Sequence, residues 1–287
     1  MKAVTIQEFF KRFPDDETCL NHLFKTRFPK DYQCPKCAAK GKWYRIEAER
    51  AFSCVCGHHL HPTVGTIFQD SSTSLQLWFY AIYLFTTTRS GVSAKELERQ
   101  LGVTYKCAWR IGHKIREYMA KVDGDDKLGG VVEIYETYLG GKRKGKRGRG
   151  VANKAVVFGM IEKGGDIMLK VVDNVKAKTL HPIIEANIEK ESEIQTDELL
   201  SYKGIDKMGY THNTVNHGSG EYVSEKGATT NSIESFWARL KLSIKGTHIH
   251  TSKKHLEKYV GEFEYRFNSR LCPEGMFEEL LTSFEKK

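Results

Sequence analysis

The chain has 287 residues, length for roughly two or three compact units, and 45 Lys and Arg against 36 Asp and Glu give a formal charge of +9. That surplus points to a polyanionic partner, nucleic acid or an acidic membrane surface. No apolar run reaches the ~18–20 residues of a membrane span, and the N-terminal MKAVTIQEFFKRF lacks a signal-peptide core; a soluble cytoplasmic protein with free thiols is expected, and no membrane partner.

The first chemistry-bearing pattern is a cysteine quartet. Cys34-Pro-Lys-Cys37 and Cys54-Val-Cys56-Gly form two knuckles, and the strand-like WYRIEAERAFS between them brings the knuckles together as a zinc ribbon. Four thiolates would then hold one structural, tetrahedral Zn²⁺. The second pair is C-x-C, tighter than C-x-x-C, and His58, His59 and His61 follow closely. One of these histidines is therefore an alternative to Cys56 as the fourth ligand. Cys19, Cys107 and Cys272 stand alone and read as small core residues.

LQLWFYAIYLF (Leu75–Phe85) is too short to span a bilayer and reads as a buried helix. After it, Ser93-Ala-Lys-Glu96 is a capping-box pattern, Leu97 and Leu101 give an apolar face, and Gly102 ends the helix. Thr104 can cap a second helix with a buried stripe of Cys107, Ala108, Ile111 and Ile115 and a basic stripe of Lys106, Arg110 and Lys114. Two short helices joined at a glycine, the second basic, fit a helix-turn-helix that lays its recognition helix in the major groove. An αα-hairpin with a solvated basic face is the plain alternative.

A polar, glycine-bearing linker (Asp123–Gly130) precedes a change of pattern. VVEIYETYL, AVVFGMIE and IMLKVVD read as three successive strands, AKTLHPIIEANIEK as a helix and EIQTD as a strand ending in Asp197. A final helix-rich stretch begins near Thr230. This order suits a ribonuclease-H-like domain, in which carboxylates converge on two Mg²⁺ or Mn²⁺ ions for phosphodiester chemistry. In TTNSIESFWARLKLSIKGTH, helical spacing puts Glu234 and Lys241 on one face, for a metal and a DNA phosphate. Asn231-x-x-Glu234 is equally a capping box, and Asp197 equally a turn residue. KRKGKRGRG carries Lys142, Arg143, Lys144, Lys146, Arg147 and Arg149, a loop suited to tracking phosphates. His217 lies between the later carboxylates in sequence and reads more simply as structural.

From about residue 5 to 270 the chain resembles bacterial insertion-sequence transposases that carry a zinc ribbon ahead of a DDE domain, kin to the eukaryotic Merlin elements. The resemblance rests on CPKC with CVCG, PTVGTIFQDSSTSLQLWFYAIYL, EIYETYLGGK, IQTDELLSY, VNHGSGEYV, and TTNSIESFWARLKLSIKGTH followed by HLEKYVGEFEYRFNSR. It implies an α/β multi-domain chain: an N-terminal segment with the zinc ribbon (1–70), a helix-turn-helix (71–122) and a C-terminal ribonuclease-H-like DDE domain (128–287). It further implies two divalent metals, cleavage and strand transfer at terminal inverted repeats in double-stranded DNA, insertion into target DNA, and at least a homodimer in a nucleoid-associated complex. Asp197 matches the second acidic ligand, Glu234 the third and Lys241 a basic position; Asn231 is an alternative third residue.

One position departs from the family. The strand there normally reads E-x-Asp-E-T, and here the aspartate is Tyr135. A phenol titrating near pH 10 is neutral at pH 7 and a poor Mg²⁺ ligand. Glu133, two residues away on the same face, is a possible substitute with a longer arm; Glu136 points to the other face. The expectation is that cleavage is abolished or severely reduced. The rival reading is a DNA-binding protein without catalysis, a repressor or a domesticated transposase. A structure-selective nuclease is a third, which the zinc ribbon and helix-turn-helix argue against.

Overall fold

The computed structural model describes residues 4–124, 126–140, 154–216, 223–224 and 227–284. The six basic residues from Lys142 to Arg149, and His217, lie outside the described residues. The chain forms two compact units, Met1–Tyr118 with Cys272–Lys287, and Met119–Leu271.

The first unit opens with α1 (Ile6–Arg12) and α2 (Asp16–Arg27). Thr5 and Glu8 close a reciprocal capping box on α1, and Asp15 caps α2 by accepting the Thr18 N–H at 2.7 Å. A small antiparallel sheet follows, β1 (Trp43–Ile46), β2 (Ala51–Cys54) and β3 (His59–Leu60), ordered β1-β2-β3. The expected apolar helix is α3 (Leu75–Thr87), with seven buried residues including Trp78, Phe79 and Phe85. α4 (Ala94–Leu101) starts at the Ser93 cap and stops at Gly102, whose φ of 65° is left-handed. α5 (Tyr105–Asp123) begins where Thr104 accepts the Cys107 N–H.

Residues 272–287, expected with the C-terminal domain, belong to this first unit. The reason is apolar: Phe277 on the last helix meets the rings of Phe9, Phe13 and Tyr83, and Phe284 stacks on Tyr118 at 5.0 Å.

The second unit is built on β4 (Val131–Leu139), β5 (Ala155–Glu162), β6 (Ile167–Val172), β7 (Glu193–Thr196) and β8 (Thr211–Thr214), ordered β6-β5-β4-β7-β8. β4, β5 and β6 pair antiparallel as a meander, whereas β7 joins β4 in parallel through the crossover helix α6 (Ala177–Asn187), and β8 extends the parallel edge. Alternation along β4 separates two cores. Val132 and Ile134 meet Leu180 and Ile184 of α6 on one face. Leu139, with Val157 and Ile161 of β5, meets Ile233, Trp237 and Leu240 of α7 (Asn231–Ser243) and Val260 and Phe263 of α8 (Lys253–Asn268) on the other. Among the described residues no helix is long and apolar enough to cross a membrane.

Candidate active site and metal centre

At the ribbon, the knuckle turn after Cys34 and the end of β2 bring four sulfurs together. The ligand atoms of Cys34, Cys37, Cys54 and Cys56 all lie within 4.8 Å of one another. Cys34 Sγ is 3.6 Å from Cys56 Sγ, and Cys37 Sγ is 3.5 Å from Cys54 Sγ. Tetrahedral zinc with bonds of about 2.3 Å requires sulfur separations close to these, so the donor set fits. Cys56 supplies the fourth sulfur of this group; His59 and His61 group separately with Glu49. Against desolvation, which would raise it, backbone N–H groups of Cys37 and Lys36 aimed at Cys34 hold that thiol at about 7. Such amide donors stabilise the thiolate that a metal needs.

On α5 the basic stripe divides. Lys106 and Arg110 are exposed, while Lys114 is half-buried and its Nζ donates to the carbonyls of Ile67 and Gln69 at 3.2 and 3.3 Å. Tyr105, 46% exposed beside Lys106, carries the Lys95 ammonium 5.0 Å over its ring. Further along, buried Arg116 donates to the Val92 carbonyl at 2.7 Å. Of the Lys106, Arg110 and Lys114 stripe, only the first two residues, in the first two turns of α5, face outward.

In the second unit, register places the candidate catalytic residues. β4 and β7 pair in parallel with Glu133 beside Gln195. Tyr135 and Asp197 each lie two residues beyond that pair, Asp197 just past the end of β7. Tyr135 packs against the core under α7. Across β5, Tyr135 is paired with Gly159. A Cβ on Gly159 would stand 2.5 Å from Trp237 Cζ2, so the glycine lets α7 lie directly on the strand.

The start of α7 is fixed by β4 and β7. Glu133 is fully buried, and its two oxygens are engaged, Oε1 by the Ser232 hydroxyl and Oε2 by the Ile233 N–H, each at 3.0 Å. Ile233 is the third residue of α7, whose N–H a helix-cap side chain ordinarily takes. Here the cap residue Thr230 makes no such bond; its hydroxyl donates to Glu234 Oε1 at 3.1 Å. The Thr229 N–H donates to Gln195 Oε1 at 2.8 Å. The capping-box alternative for Asn231 and Glu234 needs Asn231 as the cap, but Asn231 is the first helical residue.

Burial raises the Glu133 carboxyl above its ordinary 4.5, opposed by the Ile233 and Ser232 donors and by Lys163. Asp197 is buried, and its Oδ1 accepts the Leu199 N–H at 3.0 Å, the bond of a turn residue. Glu234 is half-buried and Lys241, two turns on, is exposed; desolvation, then nearby Lys154, pushes the Lys241 ammonium down from 10.5. A crowd of positive charge there suits a phosphate.

Two features were not foreseen. Glu136, on the opposite face of β4, accepts the buried Tyr202 hydroxyl at 3.0 Å. Burial first, then the charges of Glu136 and Asp197, drive that phenol well above 10, and Tyr135 is also among its electrostatic neighbours. Tyr202 thus lies against the end of the strand pair that carries Tyr135 and Asp197. The signal was in the segment IQTDELLSY, five residues beyond Asp197, but nothing in spacing assigns a buried phenol. The Glu133 clamp on α7 was the second, since it joins residues 100 apart in sequence.

Comparison with known proteins followed the same division. Residues 127–268 match the ISXO2-like transposase domain, and residues 14–59 a transposase zinc-ribbon domain. An "uncharacterized transposase-like protein" of Haemophilus influenzae is 33% identical over 99 residues, 34% of this chain and 78% of that protein. A protein in transposable element ISH50 of Halobacterium salinarum is 26% identical over 277 residues, 89% of this chain and 92% of that one. The Mos1 strand transfer complex superposes with a TM-score of 0.31 at 11% identity, over 73% of this chain and 78% of that chain. A pre-cleavage Mos1 transpososome gives 0.28 at 12% identity, over 68% and 75%. Scores that low transfer no geometry.

Proposed function

Because the chain belongs to the ISXO2-like transposase family, we propose that it binds the terminal inverted repeats of its element as double-stranded DNA, and that Tyr135 removes or severely reduces the metal-dependent cleavage and strand transfer of the family. One observation supports the second half: β4 and β7 pair in parallel up to Glu133 and Gln195, and of the two residues next on that face, Tyr135 and Asp197, the one on β4 is a phenol and not a carboxylate. Asp197 and Glu234 are hard oxygen donors suited to Mg²⁺ or Mn²⁺. The set lacks the bridging carboxylate of a two-ion centre, and a neutral phenol does not replace it. Glu133 is no substitute, because the start of α7 occupies both of its oxygens. The residues present therefore do not fit two catalytic ions.

DNA contact falls to the exposed Lys106 and Arg110 of the helix-turn-helix, with Lys241 and Lys154 together on a phosphate. Cys34, Cys37, Cys54 and Cys56 hold one structural Zn²⁺, which fixes the ribbon. Joining two transposon ends calls for a homodimer or larger complex, working on nucleoid DNA in the cytoplasm. With cleavage lost, occupation of the ends is what remains, the activity of a repressor of related elements.

The test compares this protein with Tyr135→Asp on end-containing DNA in Mg²⁺ or Mn²⁺. Both should bind the repeats equally. Several kcal/mol of metal-ion stabilisation, at a factor of ten per 1.36 kcal/mol, predicts at least about a thousandfold faster nicking by Tyr135→Asp. Equal nicking by the two proteins refutes the assignment.

A further inference from the structure

The first unit gathers a second set of metal-competent side chains away from the four cysteines. Glu49 lies in the turn between β1 and β2, His59 is on β3, and His61 follows two residues later. One ligand atom from each lies within 4.8 Å of the others, and all three residues are exposed. The β2–β3 ladder pairs Ser53 with His59 and Phe52 with Leu60, and His61 follows directly beyond it, on the side of the Glu49 turn. Strand alternation sends His59 and His61 to one face and Leu60 to the other. Their ring centroids are 6.4 Å apart and tilted by 60°, side by side and unstacked.

Among the described residues, no hydrogen bond or ion pair joins the three side chains to one another. Ligand atoms within 4.8 Å of one another, on exposed side chains free to rotate, need close by only about an ångström to reach the separations of tetrahedral bonds of about 2.0–2.2 Å. Two imidazoles and one carboxylate are a borderline donor set, suited to Zn²⁺, Ni²⁺ or Cu²⁺ and unlike the four soft thiolates.

We propose that Glu49, His59 and His61 form a second divalent-metal site of this class, with its remaining coordination positions open to water or an oxyanion. The two centres bracket the small sheet. The cysteines close the end where Trp43 pairs with Cys54, and the second site closes the end where Ile46 pairs with Ala51. Loading it ties the β1–β2 turn to β3, the two-residue strand.

The full chain is titrated with Co²⁺, whose thiolate charge-transfer bands report the cysteine centre alone, and bound metal is counted by atomic emission. Wild type should take two equivalents. The double variant His59→Ala/His61→Ala should take one, with the thiolate bands unchanged, and Glu49→Gln should bind the second equivalent at least about tenfold more weakly. All three residues are exposed, so folding is not at stake. A single equivalent in wild type, a second one that survives the histidine changes, loss of the thiolate bands with the histidines, or unchanged affinity in Glu49→Gln each overturns the assignment.

Discussion

Glu133 and Ile233 are 100 residues apart in sequence and meet at 3.0 Å, the carboxylate of a central strand accepting the N–H that opens α7. The same carboxylate takes the Ser232 hydroxyl, so one buried acid sets where the helix carrying Glu234 begins. Burial raises its pKa above 4.5. The folded state therefore holds this proton more tightly than the unfolded chain, and the group's contribution is fully present below about 4.5 and is lost as pH rises through the folded pKa. Glu133→Gln keeps one acceptor oxygen and removes the titration. Urea unfolding should show its stability relative to wild type improving as pH is raised from 4 to 8. Glu133→Ala leaves the Ile233 N–H and the Ser232 hydroxyl without this acceptor and should cost about 1–3 kcal/mol at both ends. A pH-independent difference between Gln and wild type would remove the linkage.

Gly159 carries the other side of the same helix. It is paired with Tyr135, and a Cβ there would meet Trp237 at 2.5 Å and Ile233 Cδ1 at 3.1 Å. Gly159→Ala should cost roughly 1–3 kcal/mol by overpacking. In a Trp237→Leu background the overlap is relieved, so that cost should shrink in a double-mutant cycle. Additive effects of the two changes would show that the ring and the glycine do not meet.

Much of this architecture was legible because apolar spacing and caps agreed. Strand β5 ends where its unbroken apolar run ends, α4 runs between the Ser93 cap and Gly102, and the cysteine knuckles converge as their spacing required. β8, Thr-His-Asn-Thr, was invisible because it is polar and partly exposed, and only parallel pairing with β7 makes it a strand. The destination of residues 272–287 was also hidden, since a short apolar helix does not say which core it will join. At the candidate site, sequence pointed to Tyr135, Asp197 and Glu234 but not to the hydrogen bonds around them. The Tyr202–Glu136 and Glu133–Ile233 contacts are products of tertiary register, which no local pattern records.

The basic stripe on α5 makes a separable prediction. Lys106 and Arg110 are exposed, whereas Lys114 spends its ammonium on two loop carbonyls. Lys106→Ala and Arg110→Ala should each lower the slope of log affinity against log salt by about 1 for repeat-end DNA, with the thermal midpoint unmoved. Lys114→Ala should do the reverse. Its charged hydrogen bonds are worth on the order of 1.5–3 kcal/mol of stability, and the salt slope should stay. A salt slope that falls with Lys114 would return that residue to the DNA-facing set.

Cys56 is the proposed fourth zinc ligand. Cys56 Sγ lies 3.6 Å from Cys34 Sγ, inside the quartet, and His58, just beyond it, is not among those four. Structural zinc supplies folding free energy directly, of order 10 kcal/mol in small ribbons and fingers. Cys56→Ser should therefore weaken the Co²⁺ thiolate bands and make the ribbon open at lower chelator concentration, read by limited proteolysis of the full chain. His58→Ala should leave both unchanged. The opposite pattern, with His58→Ala releasing the metal and Cys56→Ser retaining it, would move the ligand from the sulfur to the imidazole.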